Sequence, residues 1–264
     1  MISITGLSKI FGKGTINEKI ALDNVYLSLA AGEFVTVIGG NGAGKSTLLN
    51  CIAGVYPVDA GQIVLNEVDI TEMPEFKRSR WLGRVFQDPA LGTAFDMTIE
   101  ENLAIAYGKN KKRGLQPGIT KKEMQYFSEQ LVLLELGLED RMKDKVGLLS
   151  GGQRQALTLL MAALVQPKLL LLDEHTAALD PVTAKKVLSL TKQIVKEHQL
   201  STLMITHNMQ EALDVGTRTI MMYNGQIMLD LQGEERAKMT VEKLVNQFEQ
   251  RSGSYLTNDR MLLN

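Results

Sequence analysis

Residues 34–46 read Phe-Val-Thr-Val-Ile-Gly-Gly-Asn-Gly-Ala-Gly-Lys-Ser, an apolar run that passes directly into a glycine-rich loop. The run has the composition of a strand that is buried on both faces of a sheet. The loop matches the pattern Gly-x-x-x-x-Gly-Lys-Ser/Thr between a strand and a helix, which is typical of phosphate binding. The stretch therefore predicts an α/β fold whose first buried strand ends at an anion site.

The glycine-rich loop offers both backbone and side-chain groups to a nucleotide. Its glycines allow successive N–H groups to point at one phosphate, and the following helix adds the positive end of its dipole. Lys45 is expected to reach the terminal phosphates, and Ser46 to ligate magnesium. The residues expected to bind the nucleotide here are Gly39, Asn41, Gly42, Ala43, Gly44, Lys45, Ser46 and Thr47. Kinases, GTPases, helicases and transport ATPases share such loops, so this one alone does not identify the class.

A second apolar run, Leu169–Leu172, ends in two carboxylates, Asp173 and Glu174. Ligands of open α/β sheets bind at the carboxyl ends of the strands, so we expect both side chains near the phosphate loop. Asp173 suits a role at magnesium, and Glu174 is the candidate to orient and deprotonate an attacking water. The alternative is an acidic turn in solvent.

Strand and helix patterns alternate along the rest of the chain. Further strand-like stretches lie at 2–8, 19–30, 62–65, 82–86, 201–205 and 218–223. The segment from about 98 to 165 is mainly helical, with a capping box at Thr98 and a second helix from about Thr120 to Leu136. We therefore expect a largely parallel sheet with a helical insertion, followed by a poorly ordered tail over 246–264.

Composition narrows the possible functions. A net charge of −1 gives no general attraction to polyanions, so nucleic acid is not expected as a partner. The apolar stretches are shorter than the ~18 residues that a spanning helix needs. The N-terminus has neither the basic start nor the small-residue cleavage site of a secretory signal peptide. We expect a cytoplasmic protein, and the one cysteine, Cys51, is compatible with a reducing compartment.

A third motif, Leu149-Ser150-Gly151-Gly152-Gln153, precedes the carboxylate pair. Taken alone, it reads as a helix cap at Ser150 followed by flexible glycines that can approach a phosphate. Together with the other two motifs, it resembles the signature of ATP-binding cassette (ABC) proteins. The resemblance extends from about residue 2 to 245. It implies an ATPase domain over 1–245, with a P-loop NTPase (RecA-like) core, an antiparallel β subdomain and a helical subdomain over about 98–165 after the Gln87 loop.

The resemblance assigns further residues to the site. Phe11 corresponds to the aromatic residue that stacks on adenine, although Gly14–Lys19 lengthen the connection after it. Gln87 corresponds to the glutamine at magnesium and the attacking water, and His207 to the histidine at the γ-phosphate. Asp180 corresponds to a carboxylate that communicates between sites across a dimer, with a plain helix cap as the alternative.

The implied cofactors are ATP and Mg²⁺. The implied catalytic set is Glu174, His207, Gln87 and Lys45, the magnesium set is Ser46, Gln87 and Asp173, and the signature set is Ser150, Gly151, Gly152 and Gln153. The chain departs from the family after Glu174, where proline is common and His175 stands instead. We expect His175 to be a surface or interface residue.

The family places each ATP between the phosphate loop of one copy and the signature of the other. One loop and one signature in this chain therefore imply a head-to-tail homodimer that holds two ATP molecules. The resemblance also implies a separate transmembrane permease that docks near Asp88–Met97, and a peripheral location on the inner face of the cell membrane.

A narrower resemblance rests on the segments Gly83–Pro89, Gly92–Ala94, Asp96–Leu103 and Glu174–Ala178. They are similar to a subgroup of bacterial import ATPases, which work with permeases of the branched-chain amino-acid type and an extracellular binding protein. Some members of that subgroup serve aromatic amino acids. The alternatives are a soluble cassette ATPase of translation or DNA repair and an exporter subunit. The basic residues between Lys109 and Lys122 could form a surface that binds RNA or anionic lipid. The alternative is a loop of the helical subdomain whose charges are simply solvated.

Overall fold

The computed structural model of the protein describes residues 1–109 and 118–252. The strands are β1 Ile2–Phe11, β2 Lys19–Leu29, β3 Phe34–Ile38, β4 Ala60–Leu65, β5 Val68–Asp69, β6 Leu82–Val85, β7 Leu169–Asp173, β8 Thr202–Ile205, β9 Arg218–Tyr223 and β10 Gln226–Gln232. The helices are α1 Lys45–Ala53, α2 Glu75–Arg78, α3 Ile99–Gly108, α4 Lys121–Val132, α5 Gly151–Ala163, α6 Pro181–Glu197, α7 Met209–Val215, α8 Gly233–Ala237 and α9 Val241–Ser252. Short 3₁₀ turns cover Pro89–Gly92, Glu139–Arg141 and Val146–Leu148.

Two sheets organise these elements. The larger has the order β10-β9-β3-β8-β7-β6, in which β10 alone is antiparallel, and the smaller is an antiparallel sheet of order β2-β1-β4-β5. The α/β prediction and all the predicted strands are confirmed. Strands β5 and β10 were not predicted. The signal for β10 is Asn224-Gly225, whose φ angles of 48° and 78° suit the two-residue turn of a hairpin.

The larger sheet is covered on both faces, so its central strands are apolar throughout. Within β7, Leu169 and Leu171 pack with α1 and the smaller sheet, whereas Leu170 and Leu172 pack with the helices on the opposite face. Each fully buried leucine stabilises the fold by roughly 1.5–3 kcal/mol. Cys51 lies on α1 in the first of these cores, is fully buried, and burial raises the pKa of its thiol to about 11.

The chain leaves the larger sheet after β6 and returns at the neighbouring β7, with α3, α4 and α5 between them. The capping box at Thr98 is confirmed. Helix α4 is shorter than predicted because the chain turns after Val132, with φ values of 52° at Glu135 and 66° at Gly137. The ammonium of Lys109 donates to the carbonyl of Leu82 at 3.1 Å and so is not free in a basic patch. Residues 111–113 of that patch lie outside the described residues.

The end of the chain is more structured than expected up to residue 252. Helix α9 continues past the predicted boundary at 245 because its apolar side, with Leu244 and Phe248, is buried. The Phe248 ring meets that of Tyr223 edge to face at 5.4 Å. The rest of the predicted tail, residues 253–264, lies outside the described residues. In the part of the chain that is described, no helix has the length and apolar character required to span a bilayer.

Candidate active site

The phosphate loop is closely surrounded by backbone, which explains two of its glycines. Gly39 has φ 149°, and a Cβ there would lie 2.3 Å from the carbonyl oxygen of Met222. Gly44 has φ 102°, and its Cβ would lie 2.5 Å from the carbonyl oxygen of Ala21. Both positions favour glycine because other residues rarely adopt these angles and would also collide with backbone. The loop is thereby fixed against β9 and β2.

Lys45 begins α1 and turns its side chain back into the loop. Its ammonium donates to the carbonyls of Gly39 at 2.7 Å and Gly40 at 3.0 Å. Burial lowers the pKa of Lys45, while the nearby carboxylates of Glu174 and Asp173 act in the opposite direction. The ammonium therefore stands inside the loop, on the side that faces the two carboxylates.

A cleft of about 200 Å³ brings most of the predicted residues together. Its lining residues are Phe11, Lys19, Ala21, Asn41, Gly42, Ala43, Gly44, Lys45, Ser46, Thr47, Glu174 and His207. Gly39, Asp173, Gln87 and the signature residues are absent from this lining. The cleft thus combines an aromatic ring, a glycine-rich loop, two lysines, a carboxylate and an imidazole.

Phe11 and Lys19 face each other across the two strands at one end of the cleft, since they are partners in the β1–β2 register. Phe11 is 36% exposed, and its ring contacts Tyr56 edge to face at 5.3 Å. The ammonium of Lys19 lies 3.6 Å from the position that a Cβ on Gly42 would take. Lys19 and Ala21 were not predicted as site residues. The feature that identifies them is the pairing register of β1 and β2, and this register can be assigned only after the hairpin has been recognised.

Glu174 and His207 form the polar centre of the cleft. Glu174 directly follows β7, and its N–H donates to the carbonyl of Ile205 at the end of β8 at 3.0 Å. His207 follows β8, so the two side chains meet where neighbouring parallel strands end. The distance from His207 Nε2 to Glu174 Oε1 is 2.6 Å. The Glu174 side chain is 10% exposed and the His207 side chain 34%, so the imidazole shields the carboxylate from solvent.

Asp173 lies one residue earlier and points to a different set of groups. Its Oδ2 is 3.8 Å from Arg84 Nη2, which also donates to Asn50 Oδ1 on α1 at 2.7 Å. Burial raises the pKa of Asp173, and the charge of Arg84 opposes this shift. Gln87 follows β6 at the same edge of the sheet and is exposed. Arg84 therefore links β6 and α1 to the carboxylate at the end of β7.

The prediction that His175 is a surface or interface residue is wrong, because the structure buries its side chain with 1% exposure. Its Nε2 is 2.9 Å from the hydroxyl of Thr191 on α6. Burial lowers the pKa of His175 to about 4, so the ring is neutral near pH 7. The cause of the burial is the position of α6, which packs over the turn after Glu174 and cannot be inferred from the local sequence.

The signature residues lie at the N-terminus of α5. Ser150 caps the helix as predicted, its hydroxyl accepting from Gln153 N–H at 3.3 Å and its N–H donating to Gln153 Oε1 at 3.1 Å. A Cβ on Gly152 would lie 2.2 Å from Thr183 Cγ2, so this glycine permits close packing of α5 on α6. Asp180 caps α6, and its Oδ1 accepts from the N–H groups of Val182 at 3.2 Å and Thr183 at 3.1 Å.

Comparison with known proteins places these features in one family. Residues 22–177 match the family model described as ABC transporter. The "Tyrosine transport ATP-binding protein" of Clostridioides difficile (strain R20291) is 44% identical over 249 residues, covering 94% of this chain and 99% of that protein. The "Sulfate/thiosulfate import ATP-binding protein CysA" of Burkholderia mallei (strain ATCC 23344) is 37% identical over 86% of this chain, which spans 61% of that relative.

Solved structures give the same result. The ADP conformation of MJ1267, an ATP-binding cassette of an ABC transporter, has a TM-score of 0.79 at 27% identity, covering 98% of this chain and 99% of that one. The dimeric post-hydrolysis state of the ATP-binding cassette MJ0796, bound to ADP and Pi, has a TM-score of 0.75 at 26% identity. It covers 88% of this chain and 98% of that chain.

Proposed function

This chain belongs to the ABC transporter family, and from that premise we propose that it powers the uptake of an aromatic amino acid through a separate permease. It is the ATP-binding, ATP-hydrolysing subunit of such a transporter, with the P-loop NTPase fold expected from its sequence. The observation that carries the proposed mechanism is the cleft, in which the phosphate loop, Phe11, Glu174 and His207 stand together.

Each group in the cleft has a proposed task in binding or hydrolysing ATP. The loop N–H groups and Lys45 bind the phosphates, and Phe11 stacks on the adenine. Glu174 accepts a proton from the water that attacks the γ-phosphate, and His207 holds that carboxylate in place and contacts the γ-phosphate. Burial of Glu174 and its short contact with His207 support this division of tasks.

Three oxygen-bearing side chains suit a magnesium ion brought with ATP. Ser46, Gln87 and Asp173 offer a hydroxyl, an amide carbonyl and a carboxylate, the hard oxygen ligands that Mg²⁺ prefers. Asp173 is partly buried and only loosely paired with Arg84 at 3.8 Å, which leaves carboxylate oxygen for a cation. The ion would neutralise phosphate charge, and the three side chains would hold it.

We propose that the complete ATP site includes a second copy of the chain. Ser150, Gly151, Gly152 and Gln153 do not line the cleft of their own chain. Gly151 lies beside Leu179, the residue before Asp180, and two highly exposed apolar side chains are close in sequence to these residues, Leu148 at 70% and Val182 at 79%. A partner that covers this surface would bury the apolar groups and bring its phosphate loop to the signature.

The permease is proposed to dock on the segment Asp88–Met97. This segment follows Gln87 directly and exposes two apolar side chains, Leu91 at 70% and Phe95 at 38%. The chain would then lie in the cytoplasm on the inner face of the membrane, and an extracellular binding protein would deliver the amino acid. A γ-phosphate that closes the dimer and leaves on hydrolysis would drive the permease, because it binds the closed form better than the open one.

The substrate proposal follows the tyrosine transport relative and is tested by uptake in the native organism. Deletion of this gene should abolish high-affinity uptake of labelled tyrosine, which the wild-type gene should restore and a Glu174→Gln gene should not. Inhibition of tyrosine uptake by unlabelled phenylalanine and tryptophan, but not by leucine, would show that the transporter takes aromatic amino acids as a class. Unchanged tyrosine uptake would refute the proposal. Accumulation of tyrosine inside the cells of the deletion strain would indicate an exporter subunit. A growth defect with normal tyrosine transport would indicate a soluble ATPase.

Lys19 is proposed to bind the nucleotide phosphates together with Lys45. It lines the cleft beside the loop and forms no ion pair with any residue in the described parts of the chain. Lys19→Met should weaken ATP binding several-fold and AMP binding less, because the missing charge acts on the phosphates. The matched control is Lys13→Met in the same hairpin, outside the cleft. Equal ATP affinities for the two variants, measured by calorimetry, would rule out a contact by Lys19.

A further inference from the structure

The backbone at Glu174 has an unusual conformation. Its φ is 47°, in the left-handed region, where a side chain other than glycine, asparagine or aspartate costs about 1–2 kcal/mol. Such strain persists only where the surrounding structure holds the residue on more than one side. Under the proposed function, on which this inference rests, Glu174 is also the catalytic group, so the groups that hold it matter for hydrolysis.

One side of the turn is fixed to β8. The N–H of Glu174 donates to the carbonyl of Ile205 at 3.0 Å, and the carbonyl of Glu174 accepts from Ala177 N–H at 3.0 Å. These bonds fix the backbone of Glu174. They hold the peptide groups on both sides of Glu174 to β8 and within the turn, whereas a contact of this turn with α6 is made by the next side chain, that of His175.

His175 provides the attachment on the other side, to α6. The hydroxyl of Thr191 lies 2.9 Å from the carbonyl oxygen of Val187, which can only accept, so the hydroxyl proton is used there. His175 Nε2, 2.9 Å from the same hydroxyl oxygen, must therefore be the donor. The ring is thus the Nε2–H tautomer, and its orientation is set by one hydrogen bond to a fully buried acceptor.

This arrangement is costly if the ring only fills space. His175 Nδ1 is buried and has no hydrogen-bond partner among the residues that the structure describes. Leaving such an atom unpaired costs about 1–3 kcal/mol, which an apolar side chain of similar size would avoid. An imidazole at this place therefore has to be explained by its Nε2–H bond to α6.

We propose that His175 is a positioning residue, whose hydrogen bond to Thr191 holds the strained turn against α6 and so directs the Glu174 carboxylate into the cleft. Helix α6 also packs on the signature helix, where Thr183 meets Gly152, and it is capped by Asp180. The bond therefore joins the catalytic turn to the same helix that supports the proposed partner-facing surface.

The first test removes the acceptor without changing the shape of the side chain. Thr191→Val should lower kcat for ATP roughly tenfold, since small displacements of a catalytic group have effects of this order or more. ATP affinity should change less than twofold. Thr191→Ser keeps the hydroxyl and should restore most of kcat. Thr158→Val is the matched control, because Thr158 is also buried on a helix and donates to Arg154 O at 2.8 Å without any histidine partner.

A second pair of variants tests the donor. His175→Gln can still offer an N–H toward Thr191 and should retain more activity than His175→Leu, which cannot. Thermal unfolding of all variants separates a positioning effect from lost stability. A Thr191→Val protein with unchanged kcat, or one that loses no more activity than Thr158→Val, would overturn the inference. If Glu174→Gln itself remains active, the proposed function of Glu174 fails instead, so the two failures are distinguishable.

Discussion

Glu174→Gln is expected to lower steady-state ATP hydrolysis by about 100-fold or more while leaving ATP binding intact, since general-base catalysis typically contributes 10²–10⁴-fold. The amide has nearly the same shape as the carboxylate, and its oxygen can still accept a hydrogen bond from His207 Nε2, so the cleft should keep its form. The amide cannot accept the proton of the attacking water. The measurement is phosphate release at saturating ATP, together with ATP affinity by equilibrium titration.

Glu234→Gln is a suitable control, because Glu234 is exposed on α8, pairs with Lys238 and is absent from the lining of the cleft. It should hydrolyse ATP at the wild-type rate. If Glu174→Gln also retains a rate close to wild type, the base is another group, and the 2.6 Å contact with His207 would then have a structural meaning only.

Two inactive variants are expected to restore one another's activity if the ATP sites are shared between copies. Lys45→Ala removes the loop ammonium, and Ser150→Arg places bulk and charge at the signature, so each homodimer has two defective sites. In a mixed dimer, one site combines both defects while the other combines an intact loop with an intact signature. Random mixing in equal amounts makes half of the dimers mixed, so independent sites would give about a quarter of wild-type hydrolysis.

The controls concern exchange and cooperativity between the sites. Subunit exchange must be confirmed with differently tagged copies, and each variant must also be mixed with wild type, because coupled sites could silence a dimer with only one good site. Thermal unfolding must show that Ser150→Arg survives the loss of its helix cap, which costs about 1 kcal/mol. If wild-type mixtures remain active and the two variants still fail to restore each other, the shared-site proposal is wrong.

The elements that position the cleft could be predicted because their signals are local. The buried strand β3, the loop after it and the acidic end of β7 are continuous in sequence, and parallel strands bring their ends together. The helix cap at Ser150 is equally local. The strand pairing that puts Lys19 opposite Phe11 depends on the register of a hairpin whose connection is residues 12–18, and so long a connection does not determine that register.

His175 illustrates what a local pattern cannot give. The residue follows two carboxylates at the end of a strand, where exposure is the natural expectation, yet α6 returns over it and buries it. Gly152 is similar, since its close approach to Thr183 results from the packing of two helices that are separated by β7. Both features are tertiary, and both depend on contacts with α6, the helix whose placement was the least predictable from the motifs.

The buried thiol of Cys51 has a practical consequence for spectroscopy. It is the only cysteine of the chain, it is inaccessible, and with a pKa of about 11 only about one molecule in ten thousand carries a thiolate at neutral pH. The natural sequence should therefore be unreactive toward maleimides and methanethiosulfonates without any engineering. A cysteine introduced at Val182 would be the sole labelled position, so spin-label distances or a bifunctional reagent could follow the approach of two copies directly.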